Sequence, residues 1–262
     1  MQHRPKRSLG QNFLRDGSVS ERIVAALDLQ PDQHVIEIGP GEGALTERLI
    51  ESGAIVTAIE FDRDLASMLH RKFAEADNFT VVEADALDID FASLIHPSSL
   101  IPHPSTKLVA NLPYNISTPI LQRLIEQREV FSRLVLMYQR EVVERITATP
   151  GGKERGFLSV IAQNAFEIEN LFEVPPQAFY PVPKVWSAVI RLTPKPRTND
   201  EAKLREVVSQ AFTQKRKTLA NNVSRAYPDI AVVLSDLALP PKVRAEELTL
   251  DQWRQLVRHL SS

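Results

Sequence analysis

Val35-Ile36-Glu37-Ile38-Gly39-Pro40-Gly41-Glu42-Gly43 is the stretch that decides the fold. Its first four residues, three of them β-branched, read as a short buried strand. The alternating glycines that follow read as a tight strand-to-helix turn, where a missing Cβ lets a ligand approach the backbone. A helix is predicted over 44–51, with Gly53 near its C-terminal end. Working outward, Ile55 to Ile59 is a second strand, and Leu65, Met68, Leu69 and Phe73 then fall at helical spacing. Thr80-Val81-Val82 and Lys107-Leu108-Val109-Ala110 are two further strands. Ile120, Leu121, Leu124 and Ile125 mark a helix, and Leu134 to Met137 a fifth strand. Strands separated by helical segments predict right-handed βαβ units, a mostly parallel sheet and an α/β fold.

Beyond this half the pattern changes. Phe166 to Val174 alternates like a strand, a loop carries Pro175, Pro176, Pro181 and Pro183, and Trp186 to Leu192 is a last strand. These two late strands are expected to give the sheet an antiparallel edge. Thr193-Pro194-Lys195-Pro196-Arg197 is a stiff linker. After it, Leu204, Val207, Val208, Ala211 and Phe212 form a helical stripe, Pro240-Pro241 breaks the chain, and a final helix runs through Leu256 and Leu260. Two domains are predicted: an α/β domain over 1–196 and a small all-helical domain over 197–262.

Composition narrows the function classes. The chain has 262 residues, 43% apolar and 24% charged, which fits a globular protein and excludes wholesale disorder. It has no cysteine, so disulfides, thiolate zinc sites and thiol nucleophiles are excluded. The six histidines are scattered without metal-ligand spacing, and no metal is expected. No apolar run approaches a membrane span, and the basic stretch Met1 to Arg7 lacks the apolar segment of an export signal. A cytoplasmic protein with no membrane partner is expected. Residues 1–100 carry 9 Lys+Arg against 17 Asp+Glu, and residues 101–262 carry 22 against 16. That asymmetry hints at a polyanion facing the basic part.

Two acids sharpen the glycine turn. Glu60 ends the second strand, where a carboxylate accepts both hydroxyls of a ribose. Asp85 ends the third, where a carboxylate accepts the amino group of an adenine. Together they fit an adenosyl ligand. The turn has no basic residue for a pyrophosphate, and its G-x-G-x-G spacing departs from the dinucleotide fingerprint. Both features favour S-adenosylmethionine over a nicotinamide dinucleotide.

The fourth strand runs into Val109-Ala110-Asn111-Leu112-Pro113-Tyr114-Asn115. The Asn-x-Pro-aromatic tetrad is similar to that of nucleic-acid methyltransferases acting on amino groups. An adenine amine is a weak nucleophile because its lone pair is delocalised into the ring. Hydrogen bonds from that amine to the Asn111 carboxamide and to a backbone carbonyl of Leu112 or Pro113 would free the lone pair. Tyr114 can stack on the base, and its π-face opposes the positive charge that develops on the amine.

Five segments together resemble the small-subunit ribosomal RNA adenine N6,N6-dimethyltransferase family over nearly the whole chain. They are Leu9-Gly10-Gln11-Asn12-Phe13-Leu14, the glycine turn from Glu37 to Gly43, Asn111 to Asn115, Phe179-Tyr180-Pro181-Val182-Pro183-Lys184-Val185, and Lys215-Arg216-Lys217-Thr218-Leu219. The resemblance implies a Rossmann-like class I methyltransferase with a seven-stranded, mostly parallel sheet and a small helical C-terminal domain. It implies S-adenosyl-L-methionine as methyl donor and S-adenosyl-L-homocysteine as product. Asn12 and Leu14 would line the donor, Gly39 would meet its methionine end, Glu60 its ribose and Asp85 its adenine. Asn111 would sit between donor and target amine, with Tyr114 and Phe179 sandwiching the target base. Without the resemblance, Phe179 in a Pro-rich loop is more simply a packed loop anchor.

The implied substrate is a pair of adjacent adenosines in a hairpin near the 3′ end of small-subunit ribosomal RNA, each receiving two methyls. Arg140, Arg145, Lys153, Arg155, Lys215, Arg216 and Lys217 are then expected to hold RNA phosphates. Arg155 and Ala220 depart from the family pattern, which has an aromatic and commonly a basic residue at those positions. A monomer acting on the small ribosomal subunit is expected. Large-subunit RNA, a noncatalytic assembly factor and a nicotinamide dehydrogenase are the alternatives.

Overall fold

The computed structural model describes residues 6, 10–95, 106–113 and 116–260. Along the chain come β1 (Phe13–Leu14), α1 (Gly17–Leu27), β2 (His34–Ile38), α2 (Thr46–Glu51), β3 (Ile55–Glu60), α3 (Arg63–Lys72), β4 (Phe79–Glu83), β5 (Thr106–Asn111), α4 (Ser117–Glu126) and β6 (Phe131–Gln139). Then follow α5 (Arg140–Ile146), α6 (Phe157–Ala165), β7 (Phe166–Val174), β8 (Phe179–Tyr180), β9 (Ser187–Pro194), α7 (Glu201–Ala211), α8 (Leu219–Val223), α9 (Ile230–Asp236) and α10 (Leu250–His259). Three of the longer helices, α1, α3 and α10, begin on side-chain caps. Asp16 accepts the amides of Ser18 and Val19 ahead of α1, and Thr249 forms a capping box with Gln252 ahead of α10.

Seven strands form one sheet in the order β4-β3-β2-β5-β6-β9-β7. β2 pairs in parallel with β3 and β5, which pair in parallel with β4 and β6. Every residue of β2 is buried, which is why its sequence is apolar apart from His34 at its start and Glu37. The two late strands form the edge of the sheet, and the antiparallel join expected there is present. β9 is antiparallel to β6 and lies between β6 and β7, so β7 takes the edge. The apolar cluster that contains Val35, Val56, Val109, Val135 and Val189 of the sheet also takes in Ile23 and Leu27 of α1. Leu14 and Phe179, directly opposite each other in the short antiparallel pair β1–β8, belong to the same cluster.

The chain divides into two compact units, Met1–Val143 with Ile168–Pro194, and Glu144–Glu167 with Lys195–Ser262. The boundary expected at residue 196 therefore lies two residues past the last crossing, Pro194 to Lys195. The expected domains are corrected for 144–167, which join the C-terminal unit. The reason is local packing: α6 presents Leu158, Val160, Ile161 and Ala162 as buried residues and packs on α7 and α10. That second unit closes over Trp253, Leu256, Leu204 and Val207, all buried.

Candidate active site

Register places the acids and the carboxamide. Ile38 is opposite Ile59 on one side and Ala110 on the other, so β2, β3 and β5 all end at one edge of the sheet. Glu60 and Asn111 are the next residues along. A crevice at the carboxyl ends of parallel strands is the usual ligand position in an open α/β sheet. Here it is a cavity of about 300 Å³, lined by Gly10–Leu14, Glu37–Glu42, Ile59–Phe61, Ala84–Ala86, Asn111–Pro113 and neighbouring apolar residues. Each donor-lining residue expected from the sequence — Asn12, Leu14, Gly39, Glu60, Asp85 and Asn111 — is on that lining.

Two glycines make the turn possible. Gly39 has φ +67°, and a Cβ there would lie 3.9 Å from the Asn111 carbonyl oxygen and 4.0 Å from Pro113. The glycine turn and the Asn-Leu-Pro segment are thus in van der Waals reach. Gly41, also at positive φ, would place a Cβ 2.9 Å from the Phe13 ring. That close approach is what lets β1 fold down over the turn.

Glu60 is buried and accepts two amides, Gly41 N–H at 3.2 Å and Asp62 N–H at 2.8 Å. Burial pushes its carboxyl above the usual carboxylate range, and the two amides partly offset that. The Ala84 amide donates to the Glu60 carbonyl at 3.0 Å, which brings the loop of Asp85 alongside. Asp85 is half-buried, two residues past the end of β4, and its Oδ1 accepts the Leu87 amide at 2.9 Å. Asn111 donates from Nδ2 to the Asn12 carbonyl at 3.4 Å, and Asn12 donates from Nδ2 to the Gly10 carbonyl at 3.2 Å. The carboxamide oxygen of Asn111 is thereby the end turned from the N-terminal segment. Leu112 is buried, and the Pro113 carbonyl accepts the Ile116 amide at 3.2 Å. Tyr114 lies outside the described residues.

Sequence reasoning left several neighbours without a role. Glu37, inside the apolar strand, is fully buried and accepts the Thr46 hydroxyl at 2.7 Å. Burial, with a smaller contribution from nearby Glu60, pushes its carboxyl up to about 7. The one acid in Val-Ile-Glu-Ile was the signal for it. Phe61 stands 61% exposed at the lip of the cavity. Asp62 is buried and binds Lys6 and Gln11.

Two expected roles are corrected. Phe179 is 3% exposed and packed in the core cluster with Leu14, so its ring offers no free face to a base. It is the packed loop anchor of the plainer reading. Arg155 is 1% exposed; its guanidinium donates to the carbonyls of Ala148 at 2.7 Å and Leu248 at 3.1 Å, and to Gln163 Oε1 at 3.0 Å. A side chain so engaged holds its own unit together and does not reach a phosphate. The other basic residues, Arg140, Arg145, Lys153, Lys215, Arg216 and Lys217, are exposed. Lys215 Nζ donates to the Lys153 carbonyl at 2.8 Å, which brings those two lysines together. Arg140 sits 3.9 Å from Glu173.

The family model described as ribosomal RNA adenine dimethylase matches residues 2–261. The chain belongs to the ribosomal RNA adenine dimethylase family. Among dimethylase relatives, "Ribosomal RNA small subunit methyltransferase A" of Syntrophotalea carbinolica is 45% identical, over 98% of this chain and 97% of that protein. Among solved structures, a dimethyladenosine transferase from Plasmodium falciparum superposes with a TM-score of 0.80 at 24% identity, over 95% of this chain and 97% of that one. It shares the fold. The 23S rRNA methyltransferase ErmE superposes with a TM-score of 0.73 at 28% identity, over 96% of this chain and all of that one. The dimethylase family and its methyltransferase fold imply use of S-adenosylmethionine. Among the described residues, no group of three or more His, Asp or Glu is placed to hold a metal ion, and no helix is long and apolar enough to cross a membrane.

Proposed function

We propose that this chain transfers methyl groups from S-adenosyl-L-methionine to the N6 amines of two adjacent adenosines in a hairpin near the 3′ end of small-subunit ribosomal RNA. The observation that carries this reading is that Asn111 lines one cavity with Glu60 and Asp85. A ribose acceptor, an adenine acceptor and a carboxamide for the incoming amine thus share one space.

The donor fits what the residues leave available. A carboxylate has about four acceptor sites, and Glu60 uses two on amides, which leaves two for the ribose hydroxyls. Two hydroxyl donors would also relieve the burial that raises its carboxyl. Asp85 keeps Oδ2 for an exocyclic amine. Gly39 puts bare backbone beside Asn111, where the methionine end would lie. When bound, S-adenosylmethionine supplies an electrophilic methyl on a sulfonium and leaves as S-adenosylhomocysteine.

Asn111 accepts one N–H of the target amine on its carboxamide oxygen, because its nitrogen is turned to the Asn12 carbonyl. The second N–H goes to a main-chain carbonyl. Pro113 already accepts the Ile116 amide, which favours the Leu112 carbonyl. Two acceptors push the nitrogen toward tetrahedral geometry and localise its lone pair. They hold the positive charge that grows on the amine more strongly than they hold the neutral amine, which is selective binding of the transition state. The Tyr114 ring supplies the stacking face for the base. The amine proton then passes to water.

The exposed basic residues Arg145, Lys153, Lys215, Arg216 and Lys217, with Arg140, hold RNA phosphates on this reading. An unstacked loop base suits a cavity that a paired base could not enter. The protein acts as a monomer in the cytoplasm, on the small ribosomal subunit. A second reading, methylation of large-subunit RNA, is favoured by the likeness to ErmE. It ranks below the first because the small-subunit relative is more similar, 45% against 28% identical. Labelled methyl transfer onto unmethylated small and large subunits, with mapping of the modified base, tests both. Label on the large subunit alone would overturn the proposal.

A further inference from the structure

Asp62 follows the ribose acceptor by two residues and has no part in the chemistry above. Its side chain is fully buried. It accepts Lys6 Nζ at 2.7 Å and the Asp64 amide at 3.1 Å on Oδ1, and Gln11 Nε2 at 3.1 Å on Oδ2. The other end of the Gln11 side chain, Oε1, accepts the Lys6 backbone amide at 2.8 Å. Both ends of that amide are therefore engaged away from the cavity, although Gln11 stands on its lining beside Asn12. Lys6 Nζ also reaches Asp64 Oδ2 at 2.8 Å. The Asp62 amide in turn donates to Glu60 Oε1 at 2.8 Å.

We propose that Asp62 is a positioning residue for methyl-donor binding: its buried carboxylate clamps Gln11 and Lys6, and so holds the Gly10–Leu14 wall against the cavity. The identity of the donor rests on the function proposed above. The wall has little regular structure of its own, since β1 spans two residues and, among the described residues, pairs only with β8. Segments held by so few bonds are costly to order when a ligand binds, and a clamp made beforehand removes part of that cost. One turn of chain, Glu60 to Asp62, thus orients the ribose acceptor with an amide and the opposite wall with a carboxylate. Donor affinity should sense the clamp. Transfer from donor already bound should not.

The experiment compares Gln11→Ala, Asp62→Asn and Lys6→Met with the parent, and Lys6→Arg as the variant that keeps the cation. S-adenosylhomocysteine affinity is measured by calorimetry, amide hydrogen exchange is followed over residues 10–14, and donor KM and kcat are measured separately. The expected result for Gln11→Ala and Asp62→Asn is a dissociation constant and donor KM raised about tenfold. The amides of residues 10–14 exchange faster, kcat at saturating donor moves less than about twofold, and a variant carrying both Gln11→Ala and Asp62→Asn binds no worse than the more impaired of the two singles. Lys6→Arg stays near the parent where Lys6→Met does not. Unchanged affinity and exchange in Gln11→Ala would overturn the proposal. So would a loss seen only in kcat, or only in thermal stability. Should Asp62→Asn fail to fold, Gln11→Ala alone decides. Binding of S-adenosylhomocysteine needs no RNA, so failure of RNA methylation leaves this result readable.

Discussion

The Thr46 hydroxyl, at the start of α2, donates to Glu37 Oε2 at 2.7 Å, and both residues are buried. A single hydroxyl is a poor substitute for water around a carboxylate, and the Glu37 carboxyl is pushed up to about 7.

Stability should therefore depend on pH through Glu37. Its folded pKa is raised, so its stabilising contribution is complete below the unfolded value near 4.5 and is lost as pH rises through about 7. Glu37→Gln keeps an acceptor for Thr46 and cannot ionise. Between pH 4 and pH 8 the donor-free parent should lose about 3 kcal/mol relative to that variant. Urea unfolding at pH 4, 6 and 8 measures the gap. A gap that stays flat across that range would refute the assignment.

Asn111→Ala should slow methyl transfer by at least about 100-fold, the scale of one lost transition-state acceptor. S-adenosylhomocysteine binding should change far less, because Glu60 and Asp85 are untouched. Single-turnover transfer with donor saturating separates the two effects. Wild-type transfer by this variant would end the mechanism.

The cations Lys215, Arg216 and Lys217 are exposed and close to Lys153 through the Lys215 contact. Reversing all three to Glu should weaken subunit binding and flatten its log–log salt dependence by about 2 to 3 in slope. Melting temperature and S-adenosylhomocysteine affinity should hold. Filter binding at several salt concentrations checks this.

Arg155→Ala makes the opposite prediction. Three donors to Ala148, Gln163 and Leu248 are lost from a buried position, at a cost of about 3 kcal/mol. Unfolding midpoints should fall while the salt slope for RNA stays at its parent value.

Tyr138, buried in β6, leaves its hydroxyl without a hydrogen-bond partner among the described residues. Tyr138→Phe removes an unsatisfied polar group and should raise stability by about 1 kcal/mol. Denaturant unfolding gives the sign directly, and a clear loss would mean that the hydroxyl has a partner.

The strand pattern, the glycine turn and the acids of the donor site were legible because each is local. A strand reads as a β-branched run, a left-handed turn asks for glycine, and an acid at a strand end stands out against apolar neighbours. The surroundings of Phe179 and Arg155 are not legible in the sequence, for a different reason. An aromatic in a loop and an arginine after a helix look alike whether they face solvent or core. What separates them is the β1–β8 pairing that brings Leu14 against Phe179, and the Leu248 carbonyl that reaches Arg155 from 93 residues away.

The α/β alternation, the acids at the strand ends and the Asn-Leu-Pro-Tyr motif are readable from the amino-acid sequence, because period, propensity and residue chemistry are written within a few neighbours. Only the tertiary structure decided that β9 enters between β6 and β7, that residues 144–167 pack with the C-terminal unit, and that Asp62 gathers Lys6 and Gln11. Each of these depends on burial and on partners distant in the chain, which form when the core closes and leave no local pattern.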